Sequence, residues 1–339
     1  MKKRIKKEWD SIAKPLNSMG KFEDYIAQIG QIQNTMIPSL EKSALLVFCA
    51  DNGIVKEGIS QSSQEVTRIC AENIAAYKSV VGVLCQKIHS DCKVYDVGIA
   101  YDHVLKNVID NKIQKGTNNF LECEAMKQAD LETCIQLGKT IVKTCKQEGY
   151  SILCVGEMGI GNTTTSSAVA ASLLQVEPRL VTGRGAGLDN VSLLKKVSVI
   201  EKAIKKYDLY HQDVYTILRS VGGFDIACMV GVYLGAYEER IPVILDGAIS
   251  LVAALAASKI NPSVMDVCIP SHKSKEPLCA FVCETLGIDP VLDGGMALGE
   301  GSGAVLMLEL LQTALDVYKK SLRFETSGVE QYEHYEEIV

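Results

Sequence analysis

Two glutamates flanked by glycines are the side chains of this sequence best suited to chemistry. Glu300 lies within residues 296–304 (MALGEGSGA), just before residues 305–322, an apolar segment predicted to be a helix. Glycines let a backbone approach a ligand closely, and the start of a helix offers unpaired N–H groups to an anion. Glu300 could therefore contact a ligand that the glycines admit. The alternative from these residues alone is a Gly-rich helix cap with a solvated Glu300.

Glu157 lies in a second glycine-rich segment, residues 156–165 (GEMGIGNTTT). This segment follows a short apolar run, residues 151–155, and precedes a small-residue helix at residues 166–174. A strand, a glycine turn and a helix with Asn and Thr at its start form a phosphate-binding arrangement in outline. It is not a Walker A motif, because no Gly-Lys-Ser/Thr follows, and its G-x-x-G-x-G spacing is not the dinucleotide fingerprint. The residues of this turn that could contact a ligand are Met158, Gly159, Gly161 and Asn162.

Three further strand predictions end in acidic or polar side chains. Asp51 follows a run at residues 44–50, and Asp246 lies at the end of another at residues 242–247. In open α/β sheets ligands bind beyond the carboxyl ends of the strands, so both are candidate site residues. For Asp51 a plain turn is an equal alternative, because Asp, Asn and Gly are turn formers. The third run, residues 264–269, is followed by Ser271, His272 and Ser274.

A third glycine loop, residues 182–187 (TGRGAG), precedes a predicted helix at residues 191–207. That helix carries three lysines that could matter to a phosphate site. Lysines on helix surfaces usually have no specific function, but one that lies beside a phosphate could bind it as a point charge. The three are Lys195, Lys196 and Lys202.

The alternation of apolar runs with helical patterns predicts an α/β fold. Such β-α-β order is typical of a mostly parallel, Rossmann-like sheet with helices on both faces. We predict N-terminal helices at residues 1–40, an α/β catalytic domain at residues 41–305, and a C-terminal helix with an acidic tail at residues 306–339. The terminal helices are expected to form a smaller helical domain. Strands are predicted at residues 44–50, 93–99, 151–155, 242–247 and 264–269, a single helix at residues 65–88, and irregular structure at residues 100–128.

Composition and charge argue against several classes of function. The chain has 41 acidic and 35 basic side chains, a net charge of −6, so no nucleic-acid partner is expected. Its twelve cysteines follow no signal peptide and form no C-x-x-C pair. Many lie in apolar runs, which predicts reduced core thiols in a cytoplasmic protein; examples are Cys49, Cys154, Cys228 and Cys268. With five scattered histidines no metal site is expected, and no long uninterrupted apolar stretch predicts a transmembrane span.

Five of these segments occur together in one order: residues 156–164, 222–225 (GGFD), 245–247 (LDG), 271–272 (SH) and 298–304 (LGEGSGA). In that order they resemble the nicotinate-nucleotide–dimethylbenzimidazole phosphoribosyltransferase family. Residues 14–20 (KPLNSMG) are similar to the family's N-terminal KP-x-x-S-L-G turn. The resemblance covers about residues 9–322 and is far more specific than any one glycine loop.

The resemblance implies a reaction and roles for individual residues. The family transfers phosphoribose from nicotinate mononucleotide to 5,6-dimethylbenzimidazole with inversion at C1′, giving α-ribazole 5′-phosphate and nicotinate. By resemblance, Glu300 is the general base and Glu157 a second carboxylate of the site. A three-layer α/β/α domain, a homodimer and the absence of a metal or cofactor are also implied. The positions that match mononucleotide-binding residues are Gly159, Lys196, Ser274 and Gly299, and Ser62 matches a residue that lines the base pocket.

The chain departs from the family pattern near the expected base pocket. Asn52 stands where relatives often have a histidine, Ser63 replaces a common proline, and Cys70 replaces a glutamine. The base therefore stays open: dimethylbenzimidazole, another benzimidazole, adenine or a phenol. Two other functions also stay open. One is a non-catalytic subunit that binds a phosphate ligand, and the other is an NAD-dependent dehydrogenase, since residues 299–304 fit G-x-G-x-x-A without the preceding strand that the fingerprint requires.

Overall fold

A computed structural model describes residues 1–334 of the chain, which form six β-strands and fourteen α-helices. The strands are β1 (Ser43–Ala50), β2 (Asp91–Gly98), β3 (Ile109–Asp110), β4 (Ile152–Met158), β5 (Val243–Leu245) and β6 (Cys268–Pro270). The helices are α1 (Lys2–Asp10), α2 (Lys21–Gln33), α3 (Glu65–Ala75), α4 (Val80–Lys87), α5 (Gln128–Gln147), α6 (Asn162–Leu174), α7 (Pro178–Val181), α8 (Asn190–Tyr207), α9 (Val214–Val221), α10 (Phe224–Glu239), α11 (Ala248–Ile260), α12 (Leu278–Leu286), α13 (Ser302–Lys320) and α14 (Phe324–Ser327). Three short 3-10 helices lie at Gly53–Glu57, Leu209–His211 and Pro262–Val267.

The six strands form one sheet in the order β3-β2-β1-β4-β5-β6, and every neighbouring pair is parallel. This confirms the predicted α/β class with a parallel, Rossmann-like sheet. The chain builds outward from β1 in one direction and then returns to continue from β4 in the other. The point where strand order reverses opens a crevice at the carboxyl ends of the strands, where ligands of such sheets bind.

Strand β1 shows why the molecule has three layers. All of its residues are buried, and they alternate between two hydrophobic cores. Leu46 and Phe48 pack on one face of the sheet with residues of α5, α6, α10 and α11. Leu45 and Val47 pack on the other face with residues of α1, α2, α4 and α13. A continuous apolar run is what a strand covered on both faces requires.

The helices at the two ends of the chain cover the same face of the sheet. Helix α2 contacts α1 and α13, and α13 also packs on β4 and β5. Trp9 of α1 stacks obliquely on Tyr318 of α13, with ring centroids 5.1 Å apart. The division of the chain at residues 40 and 305 stays a prediction. Of the predicted acidic tail, residues 330–334 are exposed and residues 335–339 lie outside the described part.

The single helix predicted at residues 65–88 is wrong, because the structure divides it into α3 and α4. Tyr77 adopts a left-handed backbone conformation with φ of +56°, which ends α3. Ser79 then begins α4 as its N-cap, and its Oγ accepts the N–H of Gly82 at 3.1 Å. The apolar periodicity continues across the break, so a pattern of side chains alone did not reveal it.

The strand predicted at residues 264–269 is wrong over its first four residues. Pro262 opens a 3-10 helix that continues to Val267, and the side chain of Asn261 caps it by accepting the N–H of Ser263 at 3.1 Å. Proline is favoured at the first position of a helix, where its missing N–H costs nothing. The strand β6 therefore begins only at Cys268.

The segment predicted as irregular, residues 100–128, contributes the two-residue edge strand β3, which pairs with Tyr95 and Asp96 of β2. The cysteines predicted to lie in the core are buried: Cys49, Cys154, Cys228 and Cys268. No helix within residues 1–334 is long and apolar enough to span a membrane.

Candidate active site

A cavity of about 290 Å³ lies at the carboxyl ends of the central strands. Its walls come from the segments after β4, β5 and β6, from the loop before α3, and from the loop that precedes α13. Eleven of the residues singled out in the sequence line this one cavity: Ser62, Glu157, Met158, Gly159, Gly161, Asn162, Asp246, His272, Ser274, Gly299 and Glu300. Asp51 and Lys196 do not line it.

The loop that carries Glu300 is held in an uncommon backbone conformation. Gly299, Glu300 and Gly301 have φ values of +84°, +60° and +88°. Two of the three positions are glycine, which adopts this region freely, whereas a glutamate there is strained. The loop also presses against β4, because a Cβ added to Gly156 would lie 2.4 Å from the carbonyl oxygen of Glu300. Glycine at position 156 is therefore needed for the close approach.

Asp246 holds this loop from the far side. Its Oδ1 accepts the N–H of Gly303 at 2.8 Å and of Ala304 at 3.3 Å, and its Oδ2 accepts the N–H of Gly301 at 3.1 Å. These are the unpaired N–H groups at the start of α13, where a negative charge is stabilised by the helix dipole. The anion position that the sequence predicted at this helix start is thus occupied by the protein's own carboxylate.

The Glu300 carboxylate is partly buried and accepts no hydrogen bond from the described residues. Among the described residues, Oε2 of Glu300 is shielded from solvent and has no hydrogen-bond partner. Burial, and then the charge of Asp246, raise the pKa of Glu300 above its usual range. A carboxylate with a raised pKa and an unused oxygen in a cleft is suited to accept a proton.

Glu157 is a buried carboxylate of the cavity wall, 7% exposed. The Nδ2 of Asn162 donates to its Oε2 and also to Oδ2 of Asp225, the second contact at 3.1 Å. The other oxygen, Oε1, faces the Glu300 loop, since a Cβ added to Gly299 would lie 2.7 Å from it. Burial, then Asp225 and Asp246, raise the pKa of Glu157 to about 8.

The start of α6 forms the opposite end of the cavity. Gly161 is its N-cap with φ of +95°, and no side chain caps the helix. The turn is held by Thr67 of α3, whose Oγ1 accepts the N–H of Ile160 at 3.1 Å. A Cβ added to Gly161 would lie 2.7 Å from Val55, so glycine is required there by space as well as by φ. This helix start, unlike that of α13, leaves its positive end to a ligand.

Lys196 lies directly behind the start of α6 and is fully buried. Its Nζ donates to Oγ1 of Thr163 at 2.9 Å and to the carbonyl oxygen of Gly183 at 3.0 Å. Burial lowers the pKa of Lys196 to about 8, and the charge of Glu276 opposes that shift. An ammonium group has three donors, so one remains beyond these two partners. The structure places Lys196 behind the glycine-rich turn that precedes α6 without exposing it to the cavity.

Asp51 lies at the end of β1, outside the residues that line the cavity. It is buried, and its Oδ2 accepts the N–H of Ala100 at 2.8 Å. Its backbone carbonyl also accepts the N–H of Thr117 at 3.0 Å. These contacts fix the segments that follow β1 and β2, so the observed contacts of Asp51 are those of a turn.

Three site residues were not among the sequence candidates. Asp225 was part of a quoted motif but was given no role, and its signal is an acid in the first turn of a helix that is otherwise apolar. Glu276 lines the cavity and accepts the N–H of Gly185 at 3.0 Å. Arg184 lines it too, from the glycine loop that was noted without a named residue.

The described residues hold no group of three or more His, Cys, Asp or Glu side chains arranged to bind a metal ion. The cavity wall supplies carboxylates and backbone N–H groups, with the buried ammonium group of Lys196 behind it.

The comparisons with known proteins agree with one another. A family model described as phosphoribosyltransferase matches residues 1–329. A nicotinate-nucleotide–dimethylbenzimidazole phosphoribosyltransferase of Clostridium perfringens is 40% identical over 327 residues, which is 96% of this chain and 91% of the relative. A protein of the same name from Acetivibrio thermocellus is 38% identical over 329 residues, 97% of this chain and 94% of the relative.

Solved structures show the same similarity. The crystal structure of CobT from Thermus thermophilus superposes with a TM-score of 0.92 at 31% identity, covering 98% of this chain and 99% of that one. A second crystal structure from Thermus thermophilus, of a nicotinate-nucleotide–dimethylbenzimidazole phosphoribosyltransferase, has a TM-score of 0.90 at 30% identity, covering 98% of both chains.

Proposed function

The chain belongs to the nicotinate-nucleotide–dimethylbenzimidazole phosphoribosyltransferase family, and from that premise we propose how its cavity transfers phosphoribose from nicotinate mononucleotide to a benzimidazole base. The proposal rests on one observation: two positions that suit different parts of a ligand lie in the same cavity. A carboxylate with a free oxygen, Glu300, lies at one end, and the uncapped start of α6 with Lys196 behind it lies at the other.

The phosphate of the mononucleotide binds at the start of α6. The backbone of Gly161 and the positive end of the helix face the cavity there, and they attract an anion. Lys196 supplies the balancing positive charge through its unused donor or through the Thr163 hydroxyl it holds. Gly159 and Ser274 also line the cavity, and their place in its wall supports a role in holding the mononucleotide.

The leaving group needs little help from the protein. In nicotinate mononucleotide the pyridine nitrogen is cationic, so the electrons of the C1′–N bond pass to it and neutralise it as the bond breaks. The incoming benzimidazole nitrogen forms the new bond to C1′ from the opposite face, which inverts the β-glycoside to the α-glycoside. The products are α-ribazole 5′-phosphate and nicotinate.

The incoming base must lose one proton, and Glu300 accepts it. As one benzimidazole nitrogen bonds to C1′, the N–H of the other nitrogen becomes acidic. The unpaired carboxylate of Glu300 receives this proton within the cavity, aided by the raised pKa of that carboxyl group. General base catalysis of this kind contributes on the order of 10²–10⁴-fold in rate.

The base lies between Glu300 and the loop before α3. Ser62 and apolar side chains, among them Val66 and Leu188, line this part of the cavity. A flat aromatic base suits such a wall, with a few polar groups to orient it. Dimethylbenzimidazole is the base in the relatives' names, and the departures at Ser63 and Cys70 make a competition with other benzimidazoles, adenine and phenols the test of which base is preferred.

The proposed function is tested by turnover. Purified protein with nicotinate mononucleotide and dimethylbenzimidazole should release nicotinate and form α-ribazole 5′-phosphate, both measured by chromatography, with the α-anomer identified by NMR. Binding of the mononucleotide without release of nicotinate would instead indicate the non-catalytic phosphate-ligand subunit. We further propose that the enzyme is a homodimer, which light scattering of the purified protein would test. Its location is proposed to be the cytoplasm.

A further inference from the structure

One amide nitrogen joins two buried carboxylates beside the cavity. The two hydrogens of Asn162 Nδ2 are directed to Oε2 of Glu157 and to Oδ2 of Asp225. Asp225 is 0% exposed and Glu157 is 7% exposed. A neutral amide donates one hydrogen bond to each of them and offers no positive charge to either.

The groups that face this pair are acidic. Three carboxylates lie near Glu157. They are Asp225 of α10, Asp246 at the end of β5 and Glu300 of the loop before α13. Asp225 faces Asp51 from the end of β1, and the thiol of Cys49 on β1 lies near both carboxylates. Within residues 1–334 neither carboxylate forms an ion pair, and Nδ1 of His272 lies near Asp246 instead, 3.8 Å from its Oδ1 and 3.1 Å from Oγ of Ser271. Two negative charges in one buried site without a cation are strongly disfavoured, so one carboxyl group keeps its proton.

The surroundings decide which one does so. Asp225 lies in the first turn of α10, where the helix dipole favours a negative charge, and its Oδ1 accepts the N–H of Ile226 at 2.9 Å. Glu157 is the last but one residue of β4, and within residues 1–334 the shared amide is the only group that donates a hydrogen bond to its carboxylate. In agreement, burial raises the pKa of Asp225 to about 6, and burial with the charge of Asp225 raises the pKa of Glu157 to about 8.

We propose that Asp225 is a positioning residue which, through the amide of Asn162, keeps Glu157 protonated, so that Glu157 serves the cavity as a hydrogen-bond donor. The inference rests on the proposed function and assigns different tasks to the two glutamates. Glu300 accepts the proton of the incoming base, and Glu157 donates to an oxygen of the bound ribose from its Oε1 side, beside Gly299. A neutral Glu157 also avoids a second negative charge that would compete with Glu300 for the proton.

The pH dependence of kcat/KM in three proteins tests this assignment. In the wild type, activity should fall on the alkaline side with a midpoint near 8, because Glu157 loses its proton there. Asp225→Asn removes the neighbouring charge, so this midpoint should move down by about one pH unit or more. Glu157→Gln keeps an N–H donor at the same place, so it should lose the alkaline fall and retain at least about a tenth of the activity.

Two results would overturn the proposal. The first is an Asp225→Asn enzyme that remains folded, as judged by circular dichroism, with its alkaline midpoint where the wild type has it. The second is a Glu157→Gln enzyme that loses as much activity as Glu300→Gln, since an ionised Glu157 would then be required. A merely structural role of Asp225 would lower activity at every pH and leave the midpoint in place.

Infrared spectroscopy provides a readout that needs neither turnover nor the Asp225 variant. At neutral pH the wild type should show the carbonyl band of a protonated carboxylic acid that is missing from Glu157→Gln. Identical spectra of the two proteins would overturn the protonation of Glu157. A wild type that shows this band but fails to release nicotinate would overturn the proposed function instead, so the two failures are distinguishable.

Discussion

Two helix starts face the same cavity, and they are built almost alike. Helix α6 begins after Gly161 with φ of +95°, and helix α13 begins after Gly301 with φ of +88°. Both follow glycine-rich turns and both have a glutamate nearby. At α13, however, Asp246 accepts three backbone N–H groups, whereas α6 has no side-chain cap and has the buried cation Lys196 behind it.

The difference shows how a helix start is assigned to a structural or a ligand-binding task. At α13 the anion is supplied by the protein, so the helix dipole is used to hold the loop and to fix Glu300. At α6 the anion is left to the substrate, so the same dipole is available for a phosphate. One cavity thereby holds a proton acceptor at one end and a phosphate site at the other.

The largest effect should come from removing the proton acceptor while leaving the cap of α13 intact. Glu300→Gln keeps the size of the side chain but cannot accept a proton, so kcat should fall on the order of 10²–10⁴-fold. Steady-state assays of nicotinate release would measure it. The matched control is Glu309→Gln on the same helix, which lies outside the cavity and should keep the wild-type rate. A Glu300→Gln enzyme within about threefold of the wild type would contradict the role of Glu300 as base.

The close packing of the Glu300 loop can be separated from its backbone conformation. Gly301→Ala places a methyl group 2.4 Å from Cδ1 of Leu45 at a φ of +88°, and both effects are unfavourable. Gly149→Ala has nearly the same φ, +85°, with no atom within 4 Å, so it reports the conformational cost alone. We expect a loss in the free energy of unfolding of about 1 kcal/mol for Gly149→Ala and about 2–4 kcal/mol for Gly301→Ala. Equal losses in urea denaturation would show that the loop is not tightly packed against β1.

The α6 end is tested by removing its buried cation. Lys196→Met replaces the ammonium group with an apolar group of similar length, so the fold should persist while binding of the phosphate weakens. Loss of one charge-assisted hydrogen bond should raise KM for nicotinate mononucleotide by about 10–100-fold. Lys195→Met, one residue earlier and exposed, is the control and should leave KM unchanged. A raised KM for the base with no change for the mononucleotide would place the phosphate elsewhere.

The smallest effect should come from removing the negative charge of Asp246 at the start of α13. Asp246→Asn keeps one accepting oxygen but removes the charge at the start of α13, so stability should fall by about 1 kcal/mol and kcat by a few-fold as the Glu300 loop loosens. Asp213→Asn, at the exposed start of α9, is the matched control, because its carboxylate also accepts two N–H groups, those of Tyr215 and Thr216. It should lose a similar amount of stability or less and keep full activity. An unchanged kcat in Asp246→Asn would contradict this prediction, because it would show that the hydrogen bonds of Asp246 to the start of α13 do not contribute to catalysis.

Much of this arrangement could be predicted from the sequence because parallel strands leave a plain signal. Residues 151–155 and 242–247 each contain a short apolar run, and the acidic residue at or just beyond its end marks the carboxyl edge of the sheet. Glu157 and Asp246 were located in this way. The resemblance to the phosphoribosyltransferase family then connected Glu300 to the same cavity.

What could not be predicted depends on partners distant in the chain. The helix start at Gly301 looked open to a ligand, and only the fold brings Asp246 to it. Lys195 and Lys196 are adjacent in the sequence, yet one is exposed and the other buried. The buried one shares a face of α8 with Ile200 and Ala203, four and seven residues later, so its helical position was the available signal. The Asn162 amide that joins Glu157 to Asp225 had no local signal at all.

A crystal structure of the protein with nicotinate mononucleotide tests the central claim most directly. We expect the phosphate at the start of α6, where it accepts hydrogen bonds from backbone N–H groups near Gly161 and has Lys196 behind it. The ribose C1′ should be directed toward Glu300. The cap that Asp246 makes on α13 should be unchanged in the complex. A phosphate bound instead at the start of α13, with Asp246 displaced from Gly301 and Gly303, would contradict the division of tasks between the two helix starts.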